Sequence, residues 1–286
     1  MVRHVIDLHT HSSRSDGTDE PADLLAQAAA AGVSTLAITD HDTTAGWDEA
    51  AASAARHGVA LVRGAELSTR HRGGSVHLLA YLFDPSDAVL AEEMRRMRED
   101  RVPRLRRIVE HMASDGFDVS WDDVLAQVPD GPSSLGRPHL ADALVANGLA
   151  SHRNEVFAHW LHNGSPYYEP HYAVETVDAV RMVRAAGGVP VVAHPFATQR
   201  QRSLAAADVA ELVGAGLVGI EADHRDHDDE GRRLARALAA RHDLVVTGSS
   251  DFHGDGKDNR LGENTTSPES LARIEALASG ATPILR

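Results

Sequence analysis

Val5-Ile6-Asp7-Leu8-His9-Thr10-His11 is the stretch on which the reading of the fold turns. An aliphatic run ending in histidines at i and i+2 is a short strand whose last side chains share one face, because side chains alternate across a pleated strand. His9 and His11 therefore converge, and imidazole is the commonest metal-binding side chain. The segment Ser12-Ser13-Arg14-Ser15-Asp16-Gly17-Thr18 follows at once and adds a carboxylate on a glycine turn.

The same chemistry recurs along the chain. Ile38-Thr39-Asp40-His41-Asp42 ends a second apolar run and Gly64-Ala65-Glu66 a third, while His77 opens a fourth. Ala193-His194-Pro195 closes a fifth, and Ser249-Ser250-Asp251-Phe252-His253 closes the last. Strands are expected at 5–8, 35–39, 60–66, 76–83, 189–193, 219–222 and 244–248, with amphipathic helices such as 20–31 and 230–241 between them. Strand, helix, strand in repetition predicts an α/β protein with a parallel sheet or barrel. In that architecture the C-terminal strand ends share one face, where active sites sit.

The alternation fails between residues 87 and 166, where the pattern is helical only and breaks at Pro103, at Pro129-Asp130-Gly131-Pro132 and at Asn147-Gly148. The expected organisation is a barrel formed by residues 1–86 and 167–286, carrying an all-helical insertion over 87–166.

Bulk properties narrow the chemistry. The 286 residues are 42% apolar and 24% charged, the balance of an ordinary globular protein. No apolar run reaches about 18 residues and the N-terminus enters a strand pattern directly, so a cytoplasmic protein with no membrane partner is expected. The absence of cysteine excludes disulfides and thiolate sites, leaving imidazole and carboxylate as metal ligands. A formal charge of −14 argues against affinity for long duplex nucleic acid, which rests on counterion release at Lys and Arg. A mixed N/O donor set of this size suits two or three divalent cations, and paired cations clamp the attacking and leaving oxygens of a phosphoryl displacement. No Walker-type loop, G-x-S-x-G elbow or G-x-G-x-x-G supports nucleotide-driven or serine chemistry.

In kind and in order, these motifs, from Asp7-Leu8-His9-Thr10-His11 to Gly248-Ser249-Ser250-Asp251-Phe252-His253, resemble those of the polymerase and histidinol phosphatase (PHP) family. His77 and the insertion are similar to the branch holding RNase AM and the 3′,5′-nucleoside bisphosphate phosphatases, more than to the histidinol phosphatases. The resemblance implies a distorted (βα)7 barrel, the PHP fold, with a trinuclear site. His9, His11, Glu66 and Asp251 would hold the first ion, Asp16, His41 and His253 the second, and His77 and His194 the third, with Glu66 bridging. Manganese is the family's common metal, with iron or zinc also found. The implied nucleophile is a hydroxide between metals, with no side-chain nucleophile.

Substrate residues are sought in the insertion. In the apolar stripe Leu90, Met94, Met97, Leu105, Ile108 and Met112 one slot is filled by Arg101, and an arginine on a buried side needs an acid or a phosphate. Arg137-Pro138-His139 also resembles a family motif, with Arg137 suited to bidentate phosphate binding and His139 to a phosphate oxygen. Phe196-Ala197-Thr198-Gln199-Arg200 departs from the Gly-Arg-Tyr type turn of RNase AM-like proteins, and the 163–168 segment lacks their lysine. The polar run 223–228 after a strand reads as a solvated loop, with an extension of the pocket as the alternative. The expected function is hydrolysis of phosphate monoesters of small nucleotides, a 3′,5′-bisphosphate or a nucleoside monophosphate. The alternatives are an exonuclease on short RNA, a histidinol-phosphate-type phosphatase, a non-catalytic metal-binding module and C–N hydrolysis by a similar cluster.

Overall fold

The computed structural model describes residues 4–128, 135–162, 164–170, 172–197 and 203–286. The expected break at 129–132, Asn163 and the departure at 198–200 lie outside them. The first part of the barrel runs β1 (Ile6–Asp7), α1 (Pro21–Ala30), β2 (Thr35–Ile38), α2 (Trp47–His57), β3 (Ala60–His71) and β4 (Gly74–Tyr81). Helices α3 (Ala88–Ser114), α4 (Trp121–Ala126), α5 (Arg137–Ala146) and α6 (Arg153–Val156) follow, with a π-helical turn at Phe157–Leu161. The second part is β5 (Val174–Glu175), α7 (Thr176–Ala185), β6 (Val189–Val192), α8 (Ala206–Ala215), β7 (Gly219–Asp223), α9 (Asp229–His242), β8 (Val245–Gly248) and α10 (Pro268–Leu277).

The strands hydrogen-bond in the order β1-β2-β3-β4-β6-β7-β8, a nearly closed seven-stranded barrel, with the short β5 added to the far end of β3. At the seam, Thr10 and Phe252 form a parallel bridge, and Asp7 accepts from the amides of Ser250 (3.0 Å) and Gly262 (2.8 Å). Burial pushes the Asp7 carboxyl up to about 6 despite those two amides. Ile6, Leu8, Val62, Leu79, Tyr81, Val191 and Val245 fill the interior below the seam. A larger apolar layer joins the outer strand faces to α1, α2, α7, α8 and α9.

Two expectations are corrected. The sheet is not all parallel: β4 runs antiparallel to both β3 and β6. Arg72 (φ 49°) and Gly73 (φ 80°) both take left-handed conformations, the two-residue hairpin turn whose twist matches its strands, so β3 continues past Glu66 to His71 and doubles back. This reversal brings His77, the fourth residue of β4, to the same edge from a strand that runs the other way, and leaves Glu66 within β3 rather than at its end. The start of β4 lies on the edge where the parallel strands end.

Pro103 does not break its helix either, because α3 runs through it from residue 88 to 114. Proline removes one helical hydrogen bond and crowds the preceding turn. Here packing on both sides outweighs that loss. Leu90, Met94 and Met97 are buried in the barrel's outer layer, whereas Leu105, Ile108, Val109 and Met112 join Val124, Leu140, Leu144 and Val156 in a separate core among the inserted helices.

Candidate metal centre

The barrel edge gathers the predicted side chains into one cluster. His9 and His11 arrive from the end of β1, His41 from β2, Glu66 from within β3, His77 from the start of β4, His194 from β6, and Asp251 and His253 from β8. Asp16 joins from the loop after β1, its carboxylate 13% exposed, and only His77, at 29%, is more open. His194 (φ 27°) and Asp251 (φ 53°) hold left-handed backbone, which is costly for non-glycine residues and persists only where surroundings over-determine it.

The distances describe ligand spheres. His9 Nε2 lies 3.1 Å from His11 Nε2, 3.2 Å from Glu66 Oε2 and 3.5 Å from Asp251 Oδ1. His11 Nε2 lies 3.1 Å from Glu66 Oε2 and 3.4 Å from Asp251 Oδ1. Ligand atoms about 2.1 Å from one cation in a tetrahedron stand about 3.4 Å apart, close to these spacings. Beside them, His253 Nε2 is 3.2 Å and His41 Nε2 3.8 Å from the Asp16 carboxylate, and His11, Asp16, His41 and His253 form one potential set. On the other flank, Glu66 Oε1 meets His77 Nδ1 at 2.8 Å and His194 Nε2 at 3.1 Å, so Glu66 touches every part of the cluster. His41, Glu66 and His77 form a set, as do His9, His194 and Glu221.

The donor chemistry fits cations. His9 Nδ1 faces Glu221 Oε1 at 3.2 Å, an arrangement that places the ring hydrogen on Nδ1 and leaves Nε2 as a lone pair. That lone pair is turned on two carboxylate oxygens and a second imidazole, all buried. A buried anionic pocket of this kind is stable only with positive charge inside it. Burial opposes charge on His9, yet Glu66, Glu221 and Asp251 outweigh it and hold its pKa well above 6.5. His11 is raised to about 9 against burial by its bonds to Asp251 and Glu66. By contrast, burial takes His194 and His253 down to about 4. The field therefore calls for positive charge most strongly between His9 and His11.

Two residues at the cluster were not anticipated. Glu221 is fully buried in β7, donates no hydrogen of its own, and accepts from His9 and from the His194 amide (2.8 Å). An acid inside the apolar run Gly219-Ile220-Glu221-Ala222 was the available signal. His224 belongs to the run read as a solvated loop, but it is fully buried, its ring 4.9 Å from His194 and its Nε2 3.4 Å from Asp251 Oδ2.

The insertion reaches the same edge. Arg101 Nη2 donates to Asp42 Oδ2 at 2.6 Å and to Ser68 Oγ, and Ser68 lies two residues beyond Glu66 on β3. The acid that Arg101 needs is therefore Asp42. Its Nε remains buried without a hydrogen-bond partner. Arg137 Nη1 donates to the Leu161 carbonyl at 2.6 Å, and its guanidinium lies over Phe157 and Tyr168. His139 is buried, and its Nδ1 accepts from the Gly136 amide at 3.0 Å, capping α5. A Cβ at Gly136 would stand 3.5 Å from Arg101 Nη1, which sets Arg101 beside the start of α5. Burial, with Arg137 and Arg101 close by, lowers Arg104 to about 10. Arg153 ties the insertion down again, pairing with Asp142 and donating to the Asp16 carbonyl at 3.1 Å.

Known proteins resemble this chain in sequence and in fold. The PHP domain matches residues 7–117. A 3′,5′-nucleoside bisphosphate phosphatase of Chromobacterium violaceum is 34% identical over 255 residues, covering 89% of each chain. A 5′-3′ exoribonuclease of Haemophilus influenzae is 32% identical over 272 residues, 94% of this chain and 97% of that one. Among solved structures, one named a metal-dependent phosphoesterase from Bifidobacterium adolescentis is 42% identical over 96% of both chains, with a TM-score of 0.93. Among the described residues, no helix is long and apolar enough to cross a membrane.

Proposed function

The chain belongs to the PHP family and is a metal-dependent phosphoesterase, and from that premise we propose that it releases phosphate from small nucleotides, either 3′,5′-bisphosphates or nucleoside monophosphates. The observation that carries the substrate reading is the convergence of Arg101, Arg104 and Arg137 near the start of α5, next to the ligand-bearing strand β3. Guanidinium groups match phosphate oxygens bidentately, and a helix N-terminus adds favourable dipole charge. The relative of 34% identity named a 3′,5′-nucleoside bisphosphate phosphatase supports the same choice.

His9, His11, Glu66 and Asp251 would hold one cation, Asp16, His41 and His253 a second, and His77 and His194 a third beside Glu66. Two to three ions, manganese first and iron or zinc after it, suit this set. When bound, such cations neutralise phosphoryl oxygens and acidify water. The protein's own part is orientation. Glu221 fixes the His9 ring, and Arg101, Arg137 and His139 hold a substrate phosphate, with His139 Nδ1 also capping α5.

A second reading, removal of terminal nucleotides from short RNA, is favoured by the 32% identical relative named an exoribonuclease. One panel separates the two. Manganese-loaded protein is offered bisphosphates, nucleoside monophosphates, histidinol phosphate and short RNA. Chelator-sensitive release of inorganic phosphate, fastest from the nucleotides, is the expected result. Nucleotide release from RNA without phosphate release from monoesters would replace it with the exonuclease reading.

A further inference from the structure

Lys257 is the single lysine of a chain whose Lys and Arg together number 28, so every other basic position is arginine. It stands at the metal cluster. Its Nζ donates to Asp251 Oδ2 at 2.8 Å, with Asp251 only 2% exposed and Lys257 22%. The other oxygen, Asp251 Oδ1, faces His9, His11 and His253 at 3.4–3.5 Å. The two oxygens thereby face different groups, Oδ1 the three histidines and Oδ2 the lysine with His224 beside it.

The segment around Lys257 is built to hold that arrangement. Asp251 sits at φ 53° and needs outside support. Asn259 donates from Nδ2 to the carbonyls of Ser250 (2.6 Å) and Asp251 (3.1 Å), and Arg225 donates to the Asn259 Oδ1 at 2.8 Å. Six and eight residues beyond Asp251, the chain thus returns to grip its side chain and its backbone. His224, whose Nδ1 accepts from the Asp226 amide, turns Nε2 toward the same Oδ2.

The residue type is informative. An arginine fork engages both oxygens of a carboxylate, whereas an ammonium is a point charge that can hold one. We infer that Lys257 is a positioning residue which keeps Asp251 as a one-oxygen ligand, holding Oδ2 so that Oδ1 alone is presented to the cation between His9 and His11. The inference rests on the metal-site reading above. Partners that orient a ligand typically change metal affinity or activity by about 10- to 100-fold when removed.

The chain contains no cysteine, so Lys257→Cys introduces a unique thiol that can be alkylated selectively. Aminoethylation restores an ammonium at nearly lysine length, and carboxamidomethylation adds similar bulk without charge. Manganese affinity is read by competition with a chelating dye, alongside kcat and KM for p-nitrophenyl phosphate. Lys257→Cys and its carboxamide should bind manganese about 10- to 100-fold more weakly and turn over more slowly, with KM unchanged, and aminoethylation should recover both. Unchanged or tighter manganese binding in Lys257→Cys overturns the inference. So does a change confined to KM, which would make Lys257 a substrate contact, or equal recovery by the carboxamide, which would make it a space filler. Wild-type protein that binds no manganese would instead sink the underlying site.

Discussion

Arg101 of the insertion donates to Asp42 of the barrel at 2.6 Å, and Asp42 is completely buried between that guanidinium and the Ser68 amide, which reaches its Oδ1 at 2.7 Å. The pair joins the substrate side of the site to the loop that carries His41. Removing one partner of a buried pair typically costs about 3–5 kcal/mol, because the other charge is left uncompensated. Arg101→Met should therefore lower the melting temperature, and adding Asp42→Asn should recover much of the loss. Phosphatase assays on both variants decide the second role. If stability returns while kcat/KM stays about 10- to 150-fold down, Arg101 also binds phosphate; recovery of both makes it a tether alone.

Arg137→Met tests the second phosphate. A bisphosphate should lose more in kcat/KM than p-nitrophenyl phosphate, which brings only the reacting group. Equal losses would put Arg137 at the reacting phosphate. Metal content, measured in parallel, should not move.

Elemental analysis should find two to three divalent ions per chain, and chelation should abolish turnover. His9→Ala or Asp251→Ala should also remove activity, and should lower the melting temperature while leaving a cooperative melt, since each removes one partner of a buried charge cluster but not the core. The ligands sit above a filled interior, and each fully buried aliphatic side chain there contributes about 1.5–3 kcal/mol that these changes leave intact. Wild-type turnover in either variant would show that the ligand assignment is wrong.

Glu221→Gln keeps the shape of the side chain but removes the charge that holds the His9 tautomer and supports its basicity. Metal affinity should fall about 10- to 100-fold. Titration with manganese against a chelating dye provides the reading, and an unchanged affinity would reduce Glu221 to a packing residue.

Pro103→Ala should stabilise the protein, by up to about 3 kcal/mol, since the proline is exposed in the interior of α3 and alanine restores the missing donor. A fall in melting temperature would mean that Pro103 helps set the angle at which Arg101 meets Asp42.

The strand ends and their histidines were legible because both signals are local. Alternation in a strand puts His9 and His11 on one face whatever lies around them, and repeated strand-helix units bring the strand ends to one edge. What stayed hidden depends on partners distant in sequence. The reversal of β4 turns on the left-handed pair Arg72-Gly73, which only pairing with β6 converts into a barrel strand. Pro103 reads as a break until packing against two separate cores carries the helix through it.

Glu221 and His224 illustrate the same limit at the site itself. A single acid in an apolar strand, or a histidine in a polar run, carries no local mark of what it faces, and their value comes from His9, His194 and Asp251, which lie 27 or more residues away. Sequence by itself determined the residue types, the directions of the strand-end side chains and hence the chemistry available. Tertiary structure decided which carboxylate meets which cationic or imidazole group, because a charge is stabilised in a buried pocket only by neighbours that folding brings within a few ångströms.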